Sequence, residues 1–269
     1  MKQLRSRILN GETLLGCFLN LGSSLTAEIV GQAGFDWVLL DLEHGAGGES
    51  ELLHQLQALQ HTPAATVVRI ESHDRQRSHR VLDLGADGVM VPRIDTPEQA
   101  RAAAAALQFP PVGVRGVAKM NRACGFGTSF KAYSEQASKE LLCVVQVESE
   151  MSLQYLDEIA ATDGVDVLFV GPADLSHSLG VPFDLHHPRF QSAIQRVISA
   201  ATHHGKAAGI LVNDREDFER YRDLGYRFLA CSSDGDLLNK SARALTSTLR
   251  RCVENARPTV ITGAGRFQE

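Results

Sequence analysis

The sequence predicts a (β/α)8 barrel, a TIM barrel of α/β class, and three observations lead there. Short apolar runs alternate with helix-periodic segments along the whole chain, the mark of repeated strand–helix units. The runs are apolar throughout, as strands covered on both faces in a parallel sheet are. The 269 residues suit one barrel of this kind as a single domain.

The predicted strands, in order, are LLGCFLN at 14–20, DWVLLD at 36–41, TVVRI at 66–70, GVMVP at 88–92, LLCVVQVE at 141–148, DVLFVG at 166–171, AAGILVN at 207–213 and RFLACS at 227–232. Helical periodicity fills 24–32, 49–61, 75–84, 97–107, 151–160, 188–204, 215–224 and 236–255. Thr96-Pro97 marks a helix entrance, and Leu84-Gly85 and Leu224-Gly225 mark two exits. The phrases DLGADGVMVP and DLGYRFLACS repeat one helix–glycine–strand pattern. Segment 109–140, with Pro110-Pro111 and Cys124-Gly125-Phe126-Gly127, reads as an irregular insertion among the top loops. The barrel domain is expected over 1–257, with 258–269 a tail that is frayed or packed on a neighbour.

With 43% hydrophobic and 22% charged residues the chain can bury a core and lies far from the disordered range. No apolar stretch is long enough for a membrane span, and MKQLRSRILNGE lacks the apolar heart of a signal peptide, so a cytoplasmic protein is expected. A net charge of −5 with no basic stripe argues against nucleic acid. Arg75, Arg77 and Arg80 read as a solvated helix face. The five cysteines show neither paired count nor metal spacing, and Cys17, Cys143 and Cys231 read as small buried hydrophobes.

A barrel of this type carries its chemistry where strands end and the following loops begin. FDWVLLDLEHG ends in Asp41, Glu43 and His44; later strand ends bring Arg69 with Glu71, then Glu148, then Gly171-Pro172-Ala173-Asp174, then Asn213-Asp214, then Ser232, Ser233 and Asp234. Any one of these charges can be a loop cap, but their convergence on one mouth asks for a site. Glu148 closes an apolar run where a carboxylate needs a cation or a donor. Together with Asp174 it suits a hard octahedral ion, Mg²⁺ or Mn²⁺; a salt bridge from Glu148 to Arg69 or Arg115 is the structural alternative. The amides of Ala173 and Asp174 suit a carboxylate, and Arg69 an oxyanion. His44 follows a strand inside the charged cluster and, supported by Asp41 or Asp83, would shuttle a proton. His54, His61, His73, His79, His203 and His204 read as surface; His177 stays close to the mouth. Gly45-Ala46-Gly47-Gly48 fits no nucleotide-loop pattern. Of Lys2, Lys119, Lys131, Lys139, Lys206 and Lys240, none ends a strand, which disfavours a lysine Schiff base.

FDWVLLDLEHG, VVRI, PPVGVRGV, VQVES and DVLFVGPADLS, in that order over about 14–238, resemble the HpcH/HpaI aldolase family, the 4-hydroxy-2-oxoheptanedioate and 2-dehydro-3-deoxyglucarate aldolases of the phosphoenolpyruvate/pyruvate superfamily. The resemblance implies a class II aldolase that uses a divalent metal, Mg²⁺ or Mn²⁺ with Co²⁺ an option. It would cleave 4-hydroxy-2-oxo acids reversibly, through a metal-bound enolate, to pyruvate or hydroxypyruvate and an aldehyde. By position it implies Glu148 and Asp174 as metal ligands, Arg69 on the keto oxygen, His44 as acid/base, Gln146 near the metal's water, Asp41 and Asp83 behind the histidine, and Gly171, Ala173 and Asp174 at the carboxylate. Phe18, Leu211 and Ser233 would line the substrate pocket. It further implies an exchanged C-terminal helix and a homo-hexamer of paired trimers whose sites borrow loop 117–124 from a neighbour. Where the sugar-acid aldolases continue E-H-A-P-N, this chain has Glu43-His44-Gly45-Ala46-Gly47, which leaves the aldehyde open. An oxaloacetate-type decarboxylase or acyl-CoA lyase is the alternative chemistry, and a non-catalytic barrel that binds 2-oxo acids is the alternative of another class.

Overall fold

The computed structural model describes residues 2–255, so the expected tail at 258–269 lies outside the described residues. The chain divides into a compact unit ending at Asp234 and a second beginning at Gly235. In the first, β1 (Leu14–Leu19), β2 (Trp37–Asp41), β3 (Ala65–Arg69), β4 (Gly88–Val91), β5 (Leu142–Val147), β6 (Val167–Val170), β7 (Ala207–Val212) and β8 (Phe228–Ser233) pair in chain order, all parallel, and β8 closes on β1. The eight expected strands are all present, each within one residue of the predicted bounds at both ends.

Side chains alternate across each strand, and this period of two decides what fills the barrel. Leu14, Trp37, Leu39, Ala65, Val67, Met90, Leu142, Val144, Val167, Phe169, Phe228 and Ala230 form the inner core, while their neighbours in sequence pack outward against the helices. Continuing the inward set by two residues reaches Asp41 on β2, Arg69 on β3 and Gln146 on β5, with Glu148 just beyond. The alternation therefore delivers these polar groups to the top layer of the interior. Register sets neighbours as well: Asp41 lies opposite Arg69 across β2 and β3, and Phe18 opposite Ser233 across β1 and β8.

The helices are α1 (Leu4–Leu9), α2 (Ser24–Gln32), α3 (Glu49–Ala58), α4 (Arg75–Asp83), α5 (Pro97–Leu107), α6 (Phe130–Glu140), α7 (Glu150–Gln154), α8 (Leu156–Ala160), α9 (Pro172–Ser178), α10 (Pro188–His203), α11 (Arg215–Leu224) and α12 (Asp234–Asn255). Four depart from expectation, one of them α9, which occupies the stretch read as a turn at Gly171-Pro172-Ala173-Asp174. Helix α1 was not anticipated; Leu4 and Ile8 join the inner core and close the barrel at the strands' N-terminal end. The supposedly irregular 109–140 contains α6, whose Tyr133 and Ala137 are buried. The single helix expected at 151–160 is two, broken at Tyr155. Asp36, Asp87 and Asp166, each just before a strand, accept from the backbone N–H of Leu15, Thr66 and Cys143 and so satisfy donors at the starts of neighbouring strands.

In the second unit, α12 carries Leu238, Leu245, Leu249 and Val253 along one stripe, all exposed.

Gly16 makes room for the centre of the barrel. A Cβ there would stand 2.0 Å from the Trp37 ring, which stacks on Phe228 with centroids 3.9 Å apart. Gly16→Ala is therefore expected to cost about 1–3 kcal/mol by overpacking. Urea unfolding measures it, and an unchanged midpoint would show that the Trp37 ring yields freely.

Candidate active site

Arg69 and Asp41 form the frame of the mouth. Nε and Nη2 of Arg69 donate to the two carboxylate oxygens of Asp41 at 2.9 and 2.7 Å, and Nη1 lies 3.1 Å from Glu43. The guanidinium also sits 5.3 Å from the Phe18 ring. Burial works against the charge on each partner. For Arg69 the bond to Asp41 outweighs it and lifts the guanidinium above its ordinary pKa, and for Asp41 the bonds from Arg69, His44 and Glu43 outweigh it and hold the carboxyl below its usual range. A guanidinium has five N–H donors. Three being spent on acids, two remain for an oxyanion.

The loop after β2 is pinned. Asp41 accepts from the backbone N–H of Glu43 and His44 at 3.1 and 3.2 Å, and Ala46 N–H donates to the Asn20 carbonyl. A Cβ on Gly45 would stand 2.1 Å from the Asp41 carbonyl, so the turn needs glycine. His44 is thus fixed through its backbone while its ring is largely exposed, with Glu43 the nearest carboxylate at 3.8 Å. This corrects one expectation: Asp41 supports the main chain of His44, not its ring.

Asp83 is engaged elsewhere within the chain. It ends α4, and its carboxylate pairs with the fully buried Arg115 at 2.9 Å, so within the chain it does not reach His44. Arg115, between the rings of Phe109 and Tyr133, is likewise engaged there and not with Glu148.

Glu148 is 5% exposed. Its carboxylate accepts from Arg93 N–H and from Gln146 Nε2, both at 2.8 Å. Burial pushes its pKa up to about 7, the charges of Asp174 and Glu43 add to the rise, and Arg93 N–H and Arg69 oppose it. Asp174 is exposed in the first turn of α9, where the leading amides, including those of Ala173 and Asp174, have no partner within the helix. A Cβ on Gly171 would lie 2.5 Å from Glu148 Oε2, so glycine lets the end of β6 close on the carboxylate. Gln146 Oε1 is buried with no hydrogen-bond partner.

These features fit a hard cation. Two carboxylate oxygens, an orphaned amide oxygen and a buried acid lacking a counter-charge make a donor set of the oxygen-only kind. Among the described residues no group of three or more His, Cys, Asp or Glu is placed to hold a metal ion by itself, so water and substrate oxygens would complete the shell. Phe18 and Leu211 pack partly against the inner core at the mouth, and Ser233 is half-buried beside Phe18. His73, expected on the surface, is exposed in the β3–α4 loop, with Nε2 2.6 Å from the Pro92 carbonyl, and lines the mouth with Glu43 and Arg93. Its place four residues beyond Arg69 was the available signal. Nothing in the sequence marked the backbone of Arg93.

A closed parallel barrel here gathers acids, an arginine and a histidine at its C-terminal mouth, where barrels of this kind carry their chemistry. The model of the HpcH/HpaI aldolase/citrate lyase family matches residues 14–241. A 5-keto-4-deoxy-D-glucarate aldolase of Salmonella paratyphi A is 39% identical over 237 residues, 88% of this chain and 92% of that protein. The crystal structure of a family member from Burkholderia cenocepacia J2315 superposes with TM-score 0.89 at 38% identity, covering 93% of this chain and all of that one. An HpcH/HpaI aldolase from Desulfitobacterium hafniense gives 0.85 at 27%, covering 92% and 96%. The chain belongs to the HpcH/HpaI aldolase/citrate lyase family. It is a carbon–carbon lyase of the aldolase kind, in a family whose aldolases use divalent metals.

The raised pKa of Glu148 carries a sign for stability. A carboxyl whose folded pKa lies above its unfolded value loses stability as pH rises from the ordinary 4.5 through about 7. In metal-free protein, Glu148→Gln should therefore gain roughly 3 kcal/mol relative to the parent at pH 8 compared with pH 4. Chemical unfolding at the two pH values measures this, and an equal difference at both would mean that Glu148 is ionised without penalty.

Proposed function

We propose that the chain reversibly cleaves 4-hydroxy-2-oxo acids to pyruvate, or hydroxypyruvate, and an aldehyde, with acids of the sugar diacid class as substrates. The reading rests chiefly on Glu148, a carboxylate buried at a strand end beside Arg69 and uncompensated by any side-chain cation of its own. The name of the Salmonella relative supports the substrate class.

Glu148 and Asp174 would hold the metal, Mg²⁺ or Mn²⁺ or else Co²⁺, which when bound supplies Lewis-acid stabilisation of negative charge. Arg69, fixed by Asp41 and Glu43, aims its two remaining donors at the keto oxygen where charge develops. Because its partners are already in place, little reorganisation is needed as that charge grows. The first-turn amides of α9, Ala173 and Asp174, receive the substrate carboxylate beside Gly171. Gln146 offers its unpaired Oε1 to a water at the same place. In cleavage, His44 takes the proton of the 4-hydroxyl, the C3–C4 bond breaks, its electrons pass into the enolate of pyruvate, the aldehyde leaves past Phe18, Leu211 and Ser233, and a proton delivered to the enolate carbon completes pyruvate and returns His44 to its starting state. In addition the steps reverse. The exposure of the His44 ring suits a group that meets solvent or a neighbouring subunit between turnovers.

An acyl-CoA lyase would need a basic groove for the phosphates of CoA, and the mouth instead presents Glu43, Glu71 and Asp95. The exposed stripe of α12, together with exposed Val114, Val117 and Met120, supports a homo-oligomer, read here as a hexamer of paired trimers that exchanges the last helix. No helix among the described residues is long and apolar enough to cross a membrane, and the reading places the enzyme in the cytoplasm with small-molecule partners and no nucleic acid.

Incubated with pyruvate in deuterated water, the protein should exchange the methyl protons when Mn²⁺ is present and cease when EDTA is added. Glu148→Gln should abolish exchange, and Arg69→Ala should slow it by about 10²-fold or more, the scale of losing a donor to a developing oxyanion. Proton NMR follows the methyl signal; undiminished exchange in both variants would reject the assignment.

A further inference from the structure

Asn20 is the first residue past β1, and the alternation of that strand sets where it points. Gly16 lies against the Trp37 ring and Phe18 packs on the inner core, whereas Cys17 and Leu19 belong to the outer one. Asn20 is the next residue on the inward face. Its backbone is held on both sides: its N–H donates to Asp234 Oδ1 at 2.9 Å, and its carbonyl accepts from Ala46 N–H at 2.8 Å. Asp234 is buried and is fixed in turn by the Thr26 hydroxyl at 2.7 Å. The Asn20 side chain is half-buried, and its Oδ1 is sheltered from water with no hydrogen-bond partner. A sheltered amide oxygen that meets no donor is unfavourable. An anchored main chain thus carries an acceptor that secures nothing within the fold.

The neighbouring strand is shaped to the same place. Between the pairs Gly16–Ala230 and Phe18–Ser233, β8 carries one residue more than β1, a bulge at which Ser232 has φ +84°, in the left-handed region. A bulge of this kind re-aims the side chains beyond it. Here it sets Ser233 opposite Phe18 and brings Asp234 to the Asn20 N–H. Phe18 is also the ring that lies 5.3 Å from the Arg69 guanidinium, so Asn20 stands two residues further along the same face from the arginine meant for the keto oxygen. Asn20, Phe18 and Ser233 share one sector of the mouth, the sector given above to the aldehyde half.

We propose that Asn20 is a specificity-determining residue for that half, its side-chain amide hydrogen-bonding a hydroxyl on the carbon next to the aldehyde. The inference rests on the aldolase reading above and deepens it. An aldehyde cut from a sugar acid carries such a hydroxyl, and the apolar Phe18 and Leu211 offer it nothing. A hydroxyl both donates and accepts, so it satisfies the amide whichever edge is turned toward it. The terminal torsion of asparagine is soft, so the amide turns without disturbing the pinned backbone. A site whose polar group waits for a hydroxyl discriminates against the analogue that lacks one, because that analogue leaves the group unpaired.

The test compares addition of pyruvate, with Mn²⁺ present, to glycolaldehyde and to propanal, neutral aldehydes of similar size that differ in a hydroxyl against a methyl. Asn20→Ala removes the amide, and Asn20→Leu removes it with its volume kept. In each, the ratio of kcat/KM for glycolaldehyde to that for propanal should fall about tenfold from that of the unaltered chain, the scale of one hydrogen bond to a sheltered group. A purely structural loss slows both aldehydes alike and leaves the ratio where it was. A fall of less than about threefold in either variant that folds overturns the assignment. Methyl exchange of pyruvate by the unaltered chain, run alongside, separates the two failures: its absence overturns the aldolase reading and the Asn20 proposal together, whereas exchange with an unmoved ratio overturns Asn20 alone.

Discussion

A carboxylate forced to the top of an apolar barrel wall is the constraint on which the rest of the mouth depends. Glu148 follows five buried apolar residues and one buried glutamine on β5, and its position leaves it little access to water. Burying that charge is unfavourable unless donors or a cation meet it. Two donors do, Arg93 N–H and Gln146 Nε2, yet burial still holds the acid near neutrality's edge, with a pKa of about 7. The neighbouring acid Asp174 makes matters worse, not better. Such an arrangement is unfavourable for a merely structural group and appropriate for one that waits for a positive ion.

The opposite treatment of Asp41 makes the contrast informative. It too is buried, but a two-point contact with Arg69 and two backbone donors keep it ionised. One buried acid is therefore committed to positioning and the other is left available. The division follows from strand register: Asp41 and Arg69 are paired across β2 and β3, whereas Glu148 faces the glycine that opens β6 toward it. Fixing Arg69 in advance also serves the chemistry, because a donor already oriented toward a developing charge costs nothing to reorganise.

The parts of this that the sequence disclosed are those governed by short-range pattern. Apolar runs and their polar ends located all eight strands and put Asp41, Arg69, Gln146, Glu148 and Asp174 at one mouth. What stayed hidden depends on contacts distant in sequence. Helix α1 is short and owes its place to Leu4 and Ile8 filling the barrel floor. Helix α6 stands in a segment rich in proline and glycine at its start, and α9 hides within the GPAD turn. Asp83 pairs within the chain with Arg115, 32 positions away, a contact no local pattern announces. The role of the Asp41 carboxylate at the His44 main chain, and the left-handed turn at Arg93, are matters of backbone geometry that residue identity does not reveal.

The most direct test of the account is anomalous diffraction at the manganese edge from crystals grown with Mn²⁺ and pyruvate. A single peak bounded by the carboxylates of Glu148 and Asp174, with pyruvate oxygens beside it and Arg69 at the keto oxygen, is the predicted result. A peak elsewhere, or pyruvate bound to the mouth with no manganese between those two acids, would contradict it.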